Sequence, residues 1–95
     1  METFKNERLV GTIALKEDMI LGFYVSYSIR GKGIGTGLLN HLEDHARKNN
    51  IKQLQLTSTP SAVKFYSSKG YVAKENVVLA IYGIDYPEVK MEKIL

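Results

Sequence analysis

Arg30-Gly31-Lys32-Gly33-Ile34-Gly35-Thr36-Gly37 stands between a long apolar-aromatic run, Met19 to Tyr27 (MILGFYVSY), and a stretch with helical spacing, Ile34 to Asn49. The run has the composition of a strand. In the stretch after it, Leu38, Leu39, Leu42 and Ala46 fall on one face of a helix, and Asn40, Glu43, Asp44, Arg47 and Lys48 fall elsewhere. A glycine-rich loop that opens a helix is suited to anions. The first turn has backbone N–H groups with no intrahelical acceptor and carries the positive end of the helix dipole. Glycines let the main chain approach a ligand closely and take positive φ, and Arg30 and Lys32 add charge at the rim. The plainer alternative is a glycine-rich turn with solvated charges. Two familiar phosphate loops fail on spacing: there is no G-x-x-x-x-G-K-[ST], and G-x-G-x-x-G counted from Gly31 or Gly33 meets Thr36 or Leu38 where its third glycine belongs.

Outward from this loop the chain alternates strands and helices. Leu9 to Leu15 (LVGTIAL) and Met19 to Tyr27 read as two antiparallel strands broken by Lys16-Glu17-Asp18, with a short strand over Met1 to Phe4 before them. The helix ends at Asn49-Asn50, and Ile51 to Thr57 (IKQLQLT) alternates with period two, as a strand with one buried face does. Thr59-Pro60 opens a second helix, in which Ala62, Val63, Phe65 and Tyr66 form the apolar side, and Gly70 stops it. Two further strands are expected, Tyr71 to Lys74 and Val89 to Leu95, joined by a segment containing Gly83 and Pro87. The order β-β-β-α-β-α-β-β indicates an α/β (α+β) layer fold with a mixed, mostly antiparallel sheet flanked by two helices.

Ninety-five residues, 44% hydrophobic and 24% charged, suit a single domain over residues 1–95. The chain has no cysteine, which removes disulfides, thiolate metal sites and a cysteine nucleophile. Neither a signal-peptide core nor a bilayer-length apolar run is present, so a soluble, cytoplasmic protein is expected, with no membrane partner. A net charge of +3 from thirteen Lys and Arg forms no stripe, which argues against nucleic acid. The same mild positive balance suits a small polyphosphate ligand.

Arg30-x-x-Gly33-x-Gly35, placed after a strand and before a helix, resembles the [QR]-x-x-G-x-[GA] signature of the GNAT acetyltransferases. A second motif of that family, A-x-x-[LF]-Y-x-x-x-G-[FY], is matched in order by Ala62, Phe65, Tyr66, Gly70 and Tyr71. The similarity runs from about Leu9 to Leu95, and the ending GIDYPEVKMEKIL resembles the last strand of small members. It implies acetyl-CoA as cosubstrate, with no metal, and transfer of the acetyl group to a primary amine by direct attack in a ternary complex. It places the pyrophosphate at Gly31, Lys32, Gly33, Ile34, Gly35 and Thr36 with Arg30 in support. It sets the pantetheine arm along the backbone of Phe23, Tyr24 and Val25, and brings Thr59 and Ala62 to the coenzyme. Tyr66 is implied as the acid that protonates the departing thiolate; read from the residues alone, it is a packing tyrosine.

Three departures from the family pattern bear on function. Thr59 stands where many members have an asparagine that contacts the coenzyme arm. The strand Met19 to Tyr27 has no carboxylate to serve as a base, and Glu17 and Asp18 before it read as solvated turn residues. The two helices and the strand that usually precede this hairpin, and that wall the acceptor pocket, are not seen. An exposed edge at the first strands would then invite a second chain, so a homodimer is expected. A noncatalytic acyl-CoA-binding or assembly module is the alternative reading. His41 and His45 lie one helical turn apart, but HLEDH is not HExxH and no third ligand is apparent, so both read as surface residues.

Overall fold

In the computed structural model of the chain, the described residues are 2–5, 8–25 and 33–95, with side chains described for 13–23 and 33–95. Arg30, Gly31 and Lys32 lie outside them. The elements are β1 (Glu2–Lys5), β2 (Arg8–Lys16), β3 (Met19–Val25), α1 (Ile34–Lys48), β4 (Gln53–Ser58), a 3-10 turn (Pro60–Ala62), α2 (Val63–Ser68), β5 (Val72–Ile81) and β6 (Ile84–Ile94). This is the β-β-β-α-β-α-β-β order expected of an α/β fold. The chain falls into two compact units, Met1–Lys52 with Leu95, and Gln53–Ile94.

In the first unit, β1, β2 and β3 form an antiparallel ladder in chain order, and α1 packs on β2 and β3. The β2–β3 hairpin closes through Glu17-Asp18, flanked by the Lys16–Met19 pair, with Glu17 in the left-handed region at φ 57°. Its core joins Ile13 and Ile20 from the sheet to Leu38, Leu39, Leu42 and Ala46 from α1. Full burial of each large aliphatic side chain contributes about 1.5–3 kcal/mol. Glu43, which the helical spacing sets off the apolar stripe, is nevertheless buried, with its carboxylate 4.0 Å from the Arg47 guanidinium. Helix α1 ends where Asn49-Asn50 predicts. Asn50 turns left-handed at φ 62°, the Ile51 N–H donates to the Ala46 carbonyl, and the Asn50 N–H donates to that of Arg47. These are the paired bonds of a Schellman cap. That cap takes up Ile51, so β4 begins at Gln53 rather than at Ile51.

In the second unit β6 lies between β4 and β5, antiparallel to both. Leu54, Leu56 and Ser58 point to the buried side of β4, and Tyr71 and Met91 complete the core. Here the structure corrects the expectation for the C-terminal segment. The two last strands are not short pieces joined by a long connection. They form one hairpin of ten and eleven residues closed by Tyr82-Gly83, both with positive φ (51° and 77°). Such a two-residue turn matches the twist of the flanking strands. Pro87 sits within the ladder opposite Val78. Counting alternate pairs from Ile81–Ile84 makes Val78–Pro87 a non-hydrogen-bonded pair, and β4 pairing begins only at Val89, so no ladder bond is lost.

Candidate functional site

The start of α1 is set by Gly33. It takes the N-cap position in the left-handed region, φ 79° and ψ 3°, and its carbonyl receives the first helical bond from the Gly37 N–H at 2.9 Å. No side chain caps this end, no acidic residue stands in the first turn, and His45, Arg47 and Lys48 stand in the last. A side-chain cap or a first-turn carboxylate would compete with an anion; neither is present among the described residues. The N–H groups of Ile34, Gly35 and Thr36 are those left without an intrahelical acceptor by helix geometry. Among the described residues, a Cβ added at Gly33 would meet nothing within 4 Å. The local chemistry fits phosphate oxygens.

Strand β3 precedes that turn in the chain and carries an irregularity that sequence reasoning missed. From the Thr12–Tyr24 pair to the Ala14–Leu21 pair, β2 advances two residues and β3 three. The extra residue falls at Gly22-Phe23, where Gly22 has φ 59°. This is a β-bulge, a feature common beside active sites because it re-aims the backbone beyond it. The backbone re-aimed here is that of Phe23, Tyr24 and Val25, the three residues implied to face the pantetheine arm. A glycine inside an otherwise apolar strand was the available signal.

The second unit holds the remaining predicted residues. Thr59 is exposed and occupies the N-cap of the 3-10 turn, with its hydroxyl 3.2 Å from that of Ser61; Ala62 ends that turn and caps α2. Tyr66 lies on α2, half-buried. Its ring meets that of Phe65 edge-on at 5.3 Å and that of Tyr71 at 5.9 Å. Burial raises the pKa of its phenol above the usual tyrosine value, so Tyr66 is protonated throughout the physiological range. The helix closes with a second Schellman cap. Gly70 is left-handed at φ 95°, the Tyr71 N–H donates to the Tyr66 carbonyl, and the Gly70 N–H donates to that of Ser67.

Gly33, Ile34, Gly35 and Thr36 are thus together at one helix start, and Thr59, Ala62 and Tyr66 are together within the second unit. His41 and His45 are exposed on α1, and among the described residues no cluster of three or more His, Asp or Glu is placed to hold a metal. No described helix is long and apolar enough to cross a membrane.

Comparison with known proteins shows the family to which this fold belongs. The family model described as "Acetyltransferase (GNAT) domain" matches residues 2–95. Glucosamine 6-phosphate N-acetyltransferase 1 of Oryza sativa subsp. japonica is 31% identical over 75 residues, which are 79% of this chain and 42% of that protein. The uncharacterised protein YxbD of Bacillus subtilis (strain 168) is 37% identical over 71 residues, 70% of this chain and 45% of its own length. The chain therefore spans less than half the length of these curated relatives. Among solved structures, a GCN5-related N-acetyltransferase from Rhodopseudomonas palustris superposes with a TM-score of 0.93 at 29% identity, covering 99% of this chain and 59% of that one. Arabidopsis thaliana Naa50, in complex with a bisubstrate analogue CoA-Ac-MVNAL, gives 0.81 at 27% identity over 97% of this chain and 70% of that one. The chain belongs to the GNAT acetyltransferase family.

Proposed function

We propose that residues 1–95 act as one acyltransferase-like domain, an acetyl-CoA-dependent N-acetyltransferase that acetylates a primary amine, small-molecule or protein, by direct attack in a ternary complex. The observation that carries this reading is the start of α1, uncapped by any side chain and opened by left-handed Gly33. When bound, acetyl-CoA supplies an activated thioester and a thiol leaving group. The N–H groups of Gly33, Ile34, Gly35 and Thr36, with Gly31, Arg30 and Lys32, hold its pyrophosphate. The backbone beyond the β3 bulge, Phe23 to Val25, pairs with the pantetheine arm, and Thr59 and Ala62 border it. As the amine nitrogen bonds to the acetyl carbon and the carbon–sulfur bond breaks, the Tyr66 phenol gives its proton to the sulfur and regains one from solvent. A model thiol pKa of about 8.5 lies below that of tyrosine, so this transfer is uphill and depends on close placement. Since β3 carries no carboxylate, the amine enters already neutral or gives its proton to a water chain, and the proton that the nitrogen loses on becoming an amide passes to water.

Thiol release from acetyl-CoA, measured over a panel that includes glucosamine 6-phosphate and the peptide MVNAL, tests the reading. Release with at least one amine supports an enzyme; coenzyme binding with no product for any amine supports the noncatalytic module instead. The reading also includes a homodimer and the cytoplasm, where acetyl-CoA is at hand. Self-association is supported by the apolar side chains on the β5–β6 hairpin, where Val78, Leu79, Ile81, Ile84 and Tyr86 are all exposed. It moves the expected contact from the first strands to the last hairpin.

A further inference from the structure

Helix α2 has only six residues, too few to hold itself by its own hydrogen bonds. Its C-terminal end is where it is held. The Schellman cap uses the carbonyls of Tyr66 and Ser67, and the Lys69 carbonyl just beyond is met by a side chain 24 residues away: the Lys93 ammonium of β6 donates to it at 2.8 Å. The Lys93 stem lies over the turn itself, since a Cβ at Gly70 would come within 3.3 Å of its Cε. Its Nζ is also 5.6 Å from the centre of the Tyr71 ring. Tyr71 is 2% exposed and sets its ring at 71° to that of Tyr66. One side chain thus bonds the end of the helix that carries Tyr66 and faces the ring that abuts Tyr66.

We infer that Lys93 is a positioning residue for acetyl transfer: anchored in β6, it fixes the end of α2 and the Tyr71 ring, and through them the place of the Tyr66 phenol. The inference rests on Tyr66 being the proton donor. Lys93 itself touches neither substrate nor the reacting atoms. Its hydrophobic stem and its ammonium have separate tasks, covering the Gly70 turn and closing the Lys69 carbonyl, so a variant that keeps the stem and loses the charge isolates the second.

The experiment compares Lys93→Met, which keeps length without a donor, with Lys93→Arg, which restores one. Ring signals of the ¹³C-tyrosine-labelled protein are recorded, with Tyr66 identified by its loss in Tyr66→Phe. Turnover is followed with the panel amine acetylated fastest. Lys93→Met is expected to shift the Tyr66 and Tyr71 ring signals and lower kcat about tenfold, leaving KM for acetyl-CoA unchanged, because a small misplacement of a reacting group is costly. Lys93→Arg restores both. Unmoved ring signals in Lys93→Met overturn the inference, as does a kcat loss that arginine fails to rescue, or an unchanged kcat where Tyr66→Phe is impaired. If Tyr66→Phe retains full turnover, the donor reading fails on its own, and the ring signals alone then decide whether Lys93 places Tyr66.

Discussion

Gly33 and Gly70 both hold left-handed backbone, at φ 79° and 95°, yet substitution should act differently at each. At Gly33 an added methyl meets nothing within 4 Å among the described residues, so Gly33→Ala should cost the conformational strain, about 1–2 kcal/mol, seen as a lower denaturation midpoint. At Gly70 the methyl also meets Lys93, so Gly70→Ala should lose more stability than Gly33→Ala in the same measurement. Tyr66→Phe removes one oxygen from a half-buried ring. It should reduce kcat about 100-fold while leaving acetyl-CoA affinity nearly intact, in the range expected when a general acid is lost. The raised phenol pKa fixes a sign as well. In the unfolded chain Tyr66 deprotonates near its ordinary value of about 10, whereas in the fold it does so higher, so its contribution to stability is complete below pH 10 and is lost as pH rises beyond. Thermal melts at alkaline pH should therefore fall less steeply for Tyr66→Phe than for the parent. The place of Tyr66 on a helix closed by Gly70 was legible from Ala62-x-x-Phe65-Tyr66-x-x-x-Gly70-Tyr71, because that spacing encodes a helix and its cap together, whereas the proton-donor role is implied only by the family resemblance. Lys93 was not, since nothing local tells a lysine on a strand that its partner is a carbonyl 24 residues earlier.

The helices were the elements most open to reading in advance, for a physical reason. Each ends in a left-handed residue, Asn50 or Gly70, whose side chain or lack of one is visible in the sequence, and the apolar stripe Leu38, Leu39, Leu42 and Ala46 is the buried face of α1. Leu42 has no exposed surface, so Leu42→Ala should destabilise by about 2–5 kcal/mol in chemical denaturation. The C-terminal hairpin was harder to read. The expected strand ends at Lys74, but Lys74 lies at a register shift in β5 between Ala73 and Glu75, and the strand runs on to Ile81. Gly83 and Pro87 look like loop residues, yet one closes a two-residue turn and the other sits where the ladder needs no donor. The bulge at Gly22-Phe23 is likewise tertiary: Gly22 within an apolar strand is a hint, but the register shift shows when β3 is set against β2.

At the scale of the whole molecule, family membership was legible because two motifs occur at the right separation, one on each compact unit. The acceptor was not, and the relatives extend well beyond the part this chain matches. The exposed apolar residues of the β5–β6 hairpin give a direct expectation for assembly. Light scattering should report twice the 10.7 kDa chain mass, and Leu79→Lys with Ile84→Lys should return it to a single chain. The central question is whether the start of α1 holds coenzyme. Calorimetric titration with acetyl-CoA should show binding in the micromolar range that disappears when Gly33 and Gly35 are both replaced by bulkier residues, with the fold retained by circular dichroism. No heat of binding from the parent protein, or equal binding by the double variant, would contradict the coenzyme site and with it the acetyltransferase reading.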